Sequence, residues 1–124
     1  MLKISIITVC LNAEKYIEQT IKSVIAQKHS DIEYIVIDGA STDSTLNIIK
    51  QYESKITTWV SEPDKGIADA MNKGVKLATG DYLMFLNADD YFQTSNAISV
   101  ATSCMKEGKD IYIFDTIFLK EEGG

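Results

Sequence analysis

Leu83, Met84, Phe85 and Leu86 form a continuous apolar run, entered from the turn-forming Thr79, Gly80 and Asp81. The run meets Asn87, Ala88, Asp89 and Asp90 with almost no transition. A short run bounded in this way reads as a strand buried on both faces, of the kind found inside parallel sheets. Two adjacent carboxylates at the end of such a strand are costly. At ~4 Å and an effective dielectric near 20, like charges repel by about 4 kcal/mol. A divalent cation would turn that penalty into a binding site, because carboxylate oxygens are hard ligands suited to Mg²⁺ or Mn²⁺. An ordinary surface turn is the alternative, since Asn and Asp are common turn residues.

The rest of the chain decides which context this strand has. Residues 4–9 are β-branched and apolar apart from Ser5 and Thr8, and read as a central strand. Asn12, Ala13 and Glu14 begin a helix whose apolar face holds Ile17, Ile21, Val24 and Ile25. A second apolar run, 32–37, closes at Asp38 and Gly39, and the turn-rich 40–43 leads into a helix over 44–53. A third strand spans 56–60 and stops at Pro63, the only proline. The next helix follows Lys65 and Gly66, with Ile67, Met71, Val75 and Ala78 at helical spacing and Gly80 as its C-cap. Beyond the acidic end of the fourth strand, the pattern predicts a helix over 94–105 and a fifth strand over 111–114.

Strands alternating with helices predict an α/β fold with a mainly parallel central sheet and right-handed crossovers. Parallel strands share one carboxyl edge, and ligands of open sheets sit there. That edge would gather residues 10–12, Asp38 and Gly39, residues 61–64, and residues 87–90. Surface turns alone do not predict such clustering, so the pattern favours a site.

Composition narrows the chemistry. The 124 residues suit one domain. The net charge is −6, and all 12 basic residues are lysine. An acidic chain without arginine is a poor nucleic-acid binder. Cys10 and Cys104 suggest no disulfide framework, His29 in a polar loop reads as solvated, and no apolar run approaches ~18 residues. The N-terminal residues do not resemble a signal peptide, so a cytoplasmic protein is expected, with membrane attachment through further residues left open. Two phosphate-binding devices are missing. No glycine-rich loop ends in Gly-Lys-Ser or Gly-Lys-Thr, and Cys10, Leu11, Asn12 and Ala13 stand where a Gly-x-Gly-x-x-Gly turn would. A cation bridging carboxylates to phosphate, or the amides at the Gly66 helix start with Lys65 beside them, could hold phosphate instead.

Several ordered segments together resemble the family 2 glycosyltransferases of the GT-A fold. They are residues 6–9 with Asn12, the run 38–43, the run 62–66 with 69–74, then 78–81 and 85–90. The resemblance implies a Rossmann-like three-layer α/β/α sandwich. It implies a nucleotide-sugar donor, usually a UDP-sugar, and inverting transfer to a glycan or lipid-linked acceptor. Asp38 matches the acidic residue that contacts the base. Thr8, Cys10, Leu11 and Asn12 match the segment that holds the nucleoside; Thr8 and Asn12 can equally be a strand hydroxyl and a helix cap. Asn87, Ala88 and Asp89 match the Asp-x-Asp motif, with asparagine replacing its first aspartate. Asp89 then corresponds to the ligand of Mn²⁺ or Mg²⁺, and Asp90 to an alternate or outer ligand. Asp64, Lys65 and Gly66 belong to the nucleotide-sugar site, with Lys65 either meeting the diphosphate or standing as a solvated lysine. Asp69 and Asn72 either reach the donor sugar or tie their helix to neighbouring loops.

In the family the general base lies well downstream of the Asp-x-Asp motif, and Glu121 and Glu122 lie too close to serve. Residues 1–124 are therefore expected to be the donor-binding part of a longer enzyme, inactive alone. Association with the inner face of a membrane stays open, and apolar surface exposed by the missing half would favour a homo-oligomer. Two rival readings are a nucleotidyltransferase, which should show a basic glycine-rich phosphate loop, and a truncated module that binds nucleotide or a protein without catalysis.

Overall fold

A computed structural model of the chain describes residues 3–28 and 31–99. The expectations for His29, Cys104, residues 100–105, the strand over 111–114, Glu121 and Glu122 lie outside the described residues.

Among the described residues four strands alternate with three helices: β1 (Ile4–Cys10), α1 (Ile17–Ile25), β2 (Ile32–Asp38), α2 (Thr45–Gln51), β3 (Thr58–Ser61), α3 (Ile67–Leu77) and β4 (Tyr82–Phe85). Residues 97–99, within the helix expected over 94–105, are also helical. A single 3₁₀ turn, Glu53–Lys55, separates α2 from β3. The sheet order is β3-β2-β1-β4, and every pairing is parallel. All seven residues of β1 are buried, as expected for a strand paired on both edges and covered on both faces.

Side chains alternate across the sheet and define two cores. One face carries Ile4 and Ile6 of β1, Tyr34 and Val36 of β2, and Tyr82 and Met84 of β4, against Ile17, Ile21 and Val24 of α1 and Ile49 of α2. The other carries Ile7, Val9, Ile35 and Ile37, against Ala70 of α3. The expected three-layer sandwich is therefore present.

Four local expectations need correction. The first helix starts at Ile17, because Asn12 adopts φ +48° and turns the chain before it can coil. The third strand spans Thr58–Ser61 and not 56–60: Ile56 N–H still closes the 3₁₀ turn on the carbonyl of Glu53 at 3.3 Å. The apolar stripe of α3 is only half turned to the core: Met71 and Ala78 pack against it, but Ile67 is 60% exposed and Val75 41% exposed, whereas Ala70 and Gly74 are buried. The helix lies so close to β1 that a Cβ on Gly74 would come within 2.5 Å of Ile7 Cγ2, so no side chain fits at that position. Nor does Gly80 cap α3, whose C-cap is Ala78. Gly80 instead approaches β1, donates its N–H to Ser5 Oγ at 2.8 Å, and has no room for a Cβ.

That contact is part of a polar cluster at the amino edge of the sheet. Glu33, almost fully buried, accepts the Ser5 hydroxyl at 2.7 Å, the Thr79 N–H at 2.7 Å and the Thr79 hydroxyl at 2.9 Å. Burial opposes its charge, but these bonds and nearby Lys3 outweigh burial and hold the carboxyl below its ordinary value of 4.5. A depressed carboxylate stabilises the fold above the unfolded value, and that contribution is lost as pH falls through the folded one. Stability should therefore be steady near neutrality and fall below about pH 4.5. Glu33→Gln would set an amide N–H₂ against donors and is expected to cost about 1–3 kcal/mol at neutral pH while flattening the acid limb. Urea unfolding at several pH values measures both; wild-type stability in the variant would show that the cluster contributes nothing.

Candidate functional site

Strand order sets where a cleft forms. The chain steps outward from β1 to β2 to β3, then returns to lay β4 on the other side of β1. The connections leaving β1 and β4 therefore part at the carboxyl edge, and such a switch point is where open α/β sheets bind ligands. Two adjoining cavities lie there. One of about 210 Å³ is lined by Val9, Cys10, Leu11, Asp64, Gly66, Ile67 and Ala70. The other, about 380 Å³, shares Val9, Cys10, Leu11 and Ile67 and adds Asn12, Ala13, Tyr16, Asn87, Ala88 and Asp89. The first is an apolar slot with one carboxylate. The second opens onto the turn after β4.

The two loops flanking the slot are built by side chains standing in for missing ladder bonds. After β1, Asn12 N–H donates to Ser41 Oγ at 2.8 Å, Ala13 N–H to Thr45 Oγ1 at 2.8 Å and Glu14 N–H to Asp43 Oδ2 at 3.2 Å. In return, Thr42 N–H donates to Asn12 Oδ1 at 2.8 Å and Ser44 N–H to Glu14 Oε1 at 2.9 Å. This reciprocal stitching holds Leu11 in the cleft, 60% exposed. On the far side, Gly66 N–H donates to Asp64 Oδ1 at 3.1 Å and Lys65 N–H to Asp69 Oδ2 at 3.0 Å. Lys73 bonds the carbonyl of Pro63 at 3.0 Å and pairs with Glu62 at 3.2 Å. Asp69 thus ties α3 to the loop before it. The two amides expected to receive phosphate already hold carboxylates. Gly39 lies under Asp64, where a Cβ would come within 2.8 Å of Asp64 Oδ2.

Of the sequence-predicted residues, Cys10, Leu11, Asn12, Asp64, Gly66, Asn87, Ala88 and Asp89 line the cleft. Thr8, Asp38, Lys65 and Asp90 do not. Thr8 is buried and hydrogen-bonded to the Tyr34 hydroxyl at 2.9 Å. Asp38 is 0% exposed. Its carboxylate accepts the Ser41 hydroxyl, the Ser41 N–H at 3.0 Å, the Ser61 hydroxyl at 2.8 Å and the Cys10 thiol at 3.5 Å. The Cys10 thiol is pushed well above its ordinary value, first by burial and then by the Asp38 charge beside it, so it stays protonated and serves as a packing group. Lys65 is exposed, and Asp90 lies half-buried behind the turn. Asn12 caps no helix; its oxygen holds the Thr42 amide.

Sequence reasoning missed Tyr16 and placed Ile67 in the core. Both are exposed and face the cleft. Only the small Ala70 and Gly74 beside Ile67 hinted that this helix turns a different face to the sheet.

Charge is one-sided here. The lining contains Asp64 and Asp89 and no lysine, and the chain has no arginine. Among the described residues no three His, Cys, Asp or Glu side chains gather to form a metal site by themselves. Asp89 is exposed at the turn, offering one carboxylate. That suits Mg²⁺ or Mn²⁺, which bind through one or two carboxylates with water and substrate phosphates completing the shell. No described helix is long and apolar enough to cross a membrane.

The family described as Glycosyl transferase family 2 matches residues 5–123. A relative from Escherichia coli, the UDP-Glc:alpha-D-GlcNAc-diphosphoundecaprenol beta-1,3-glucosyltransferase WfaP, is 32% identical over 120 residues, covering 96% of this chain and 47% of that protein. The S. aureus TarS 1–349 structure in complex with UDP-GlcNAc superposes with a TM-score of 0.75 at 29% identity, covering 82% of this chain and 30% of that one. The Pyrobaculum calidifontis mannosyltransferase PcManGT, in complex with GDP-Man and Mn²⁺, gives a TM-score of 0.80 at 22% identity over 86% of this chain and 33% of that one, a likeness of fold alone. The chain thus spans less than half the length of these proteins.

The positive φ of Asn12 gives a local test of the loop. Asn tolerates this region, whereas a Cβ without a polar group there costs about 1–2 kcal/mol. Asn12→Ala is expected to destabilise by about that amount and Asn12→Gly by less, in denaturant titrations. Equal losses would show that the backbone conformation is not what Asn12 supplies.

Proposed function

The chain belongs to glycosyl transferase family 2, and from that premise we propose that its cleft binds the nucleotide part of a UDP-sugar, with Mn²⁺ or Mg²⁺ held at Asp89. The observation that carries the reading is the joining, at the switch point, of an apolar slot to a carboxylate-bearing turn with no basic residue in the lining. A flat base fits the slot between Leu11 and Ile67. A diphosphate beside Asp64 and Asp89 would meet only negative charge, so it needs a cation to bind at all. The UDP-sugars in the names of WfaP and of the TarS complex favour uridine. The diphosphoundecaprenol acceptor in the name of WfaP favours a lipid-linked or glycan acceptor for the whole enzyme.

Bound there, the cation would act as a Lewis acid toward the departing diphosphate. The chain's own groups bind and orient. Leu11 and Ile67 cover the base, Asn87 offers a neutral amide to the ribose, and Asp89 is the protein's carboxylate toward the metal. Asp38 sits one layer behind, its lone pairs held by Ser41 and Ser61, so it reaches a base N–H only if one hydroxyl turns away. A positioned general base contributes roughly 10²–10⁴-fold. No carboxylate lining the described cleft is assigned that role, so we expect the described residues to bind donor without transferring sugar.

Calorimetry should show UDP binding that strengthens with Mn²⁺ and weakens on chelation. Asp89→Ala should remove the metal-dependent part while leaving the fold intact. Metal-independent binding, preference for a purine nucleotide, or unchanged metal dependence in Asp89→Ala would each overturn the reading.

A further inference from the structure

Residues 88–98 follow β4 without joining the described sheet. Several of their backbone groups are nevertheless bonded to polar side chains of α1 and of the residues just after it. Thr20 and Ser23 stand three apart on α1 and share a helix face, and Gln27 follows two residues beyond the helix end. The Thr20 hydroxyl donates to the carbonyl of Ala88 at 2.8 Å and also contacts the carbonyl of Asp90. Ser23 Oγ accepts the Phe92 N–H at 3.0 Å. The Gln27 amide donates to the carbonyl of Thr94 at 2.8 Å and accepts the Ile98 N–H at 2.9 Å. Lys28 N–H extends the row to the carbonyl of Ser95 at 2.8 Å.

The two Thr20 contacts fall immediately before and after Asp89. Thr20 is 1% exposed. The turn closes on itself through Asp90 N–H to the carbonyl of Asn87 at 2.9 Å. Thr20 hydrogen-bonds it to the helix, and Ala88 packs in the same core as Ile17 and Ile21.

We propose that Thr20 is a positioning residue for Asp89, fixing the turn so that the carboxylate faces the cleft. The inference rests on the metal-assisted donor site proposed above. One carboxylate sharing a cation with phosphate oxygens tolerates little misplacement. Removing the hydrogen-bond partners that orient metal ligands commonly lowers metal affinity by roughly 10–100-fold.

The test is UDP titration with Mn²⁺ and with chelator, on wild type, Thr20→Val and Thr20→Ser. Thr20→Val should lose about tenfold in Mn²⁺-dependent affinity and keep its metal-free affinity, and Thr20→Ser should regain most of the loss. Thr20→Cys, with a weak thiol donor, replaces Thr20→Val if the latter does not fold, and should show part of the same loss. Wild-type metal dependence in these variants, or an equal loss with and without Mn²⁺, would overturn the assignment. If wild type itself shows no Mn²⁺ dependence, the donor-site reading fails separately. Amide exchange then decides the positioning role. Faster exchange at Asp90 and Phe92 in Thr20→Val but not Thr20→Ser supports it, and unchanged exchange overturns it.

Discussion

Parallel pairing of β1 on both of its edges is the constraint from which the architecture follows. A strand flanked by β2 and β4 has every backbone donor and acceptor along its paired length engaged, so it can be buried throughout. Burial on both faces demands helices on both faces, and the cores on either side of Ile4–Cys10 supply them. Parallel pairing also aligns the carboxyl ends of all four strands. Because β2 and β4 lie on opposite sides of β1, the connections diverge above it and leave the cleft open there. Cys10 and Leu11 line both cavities for that reason.

The two ends of the sheet spend their polar groups differently. At the amino edge, Glu33 is satisfied by Ser5 and Thr79. At the carboxyl edge, Asp38 is satisfied internally by Ser41 and Ser61, whereas Asp89 stands exposed in the cleft. In the proposed reading, an exposed carboxylate beside an apolar slot, with no lysine in the lining, would suit an anionic ligand that arrives with its own cation.

The alternation of apolar runs with helical periodicity was sufficient to read the parallel sheet and the edge where the loops converge. Asn87, Ala88 and Asp89 were legible because a buried strand ending in acids is costly without a purpose. Side-chain-to-backbone bonds between segments far apart in sequence were not legible. Asn12 looks like a helix cap until Thr42, thirty residues on, is seen to donate to it. Thr20, Ser23 and Gln27 look like an ordinary solvated face until the segment after β4 lies across them. The stripe of α3 misled because periodicity weighs hydrophobicity, whereas the close approach of Gly74 to Ile7 is a matter of volume. Asp38 was read as the acid that meets the base, but the hydroxyls that occupy it come from Ser41 in the loop that follows it and from Ser61 at the end of β3.

The central claim is that the nucleotide site lies at the switch point between β1 and β4. The most direct measurement is the map of backbone amide shifts on adding UDP with Mg²⁺ to the isotopically labelled chain. The account predicts the largest shifts at Leu11, Asp64, Ile67, Asn87 and Asp89, with Lys3, Glu33 and Thr79 at the opposite edge unchanged. Shifts concentrated at the amino edge, or spread evenly over the surface, would contradict it.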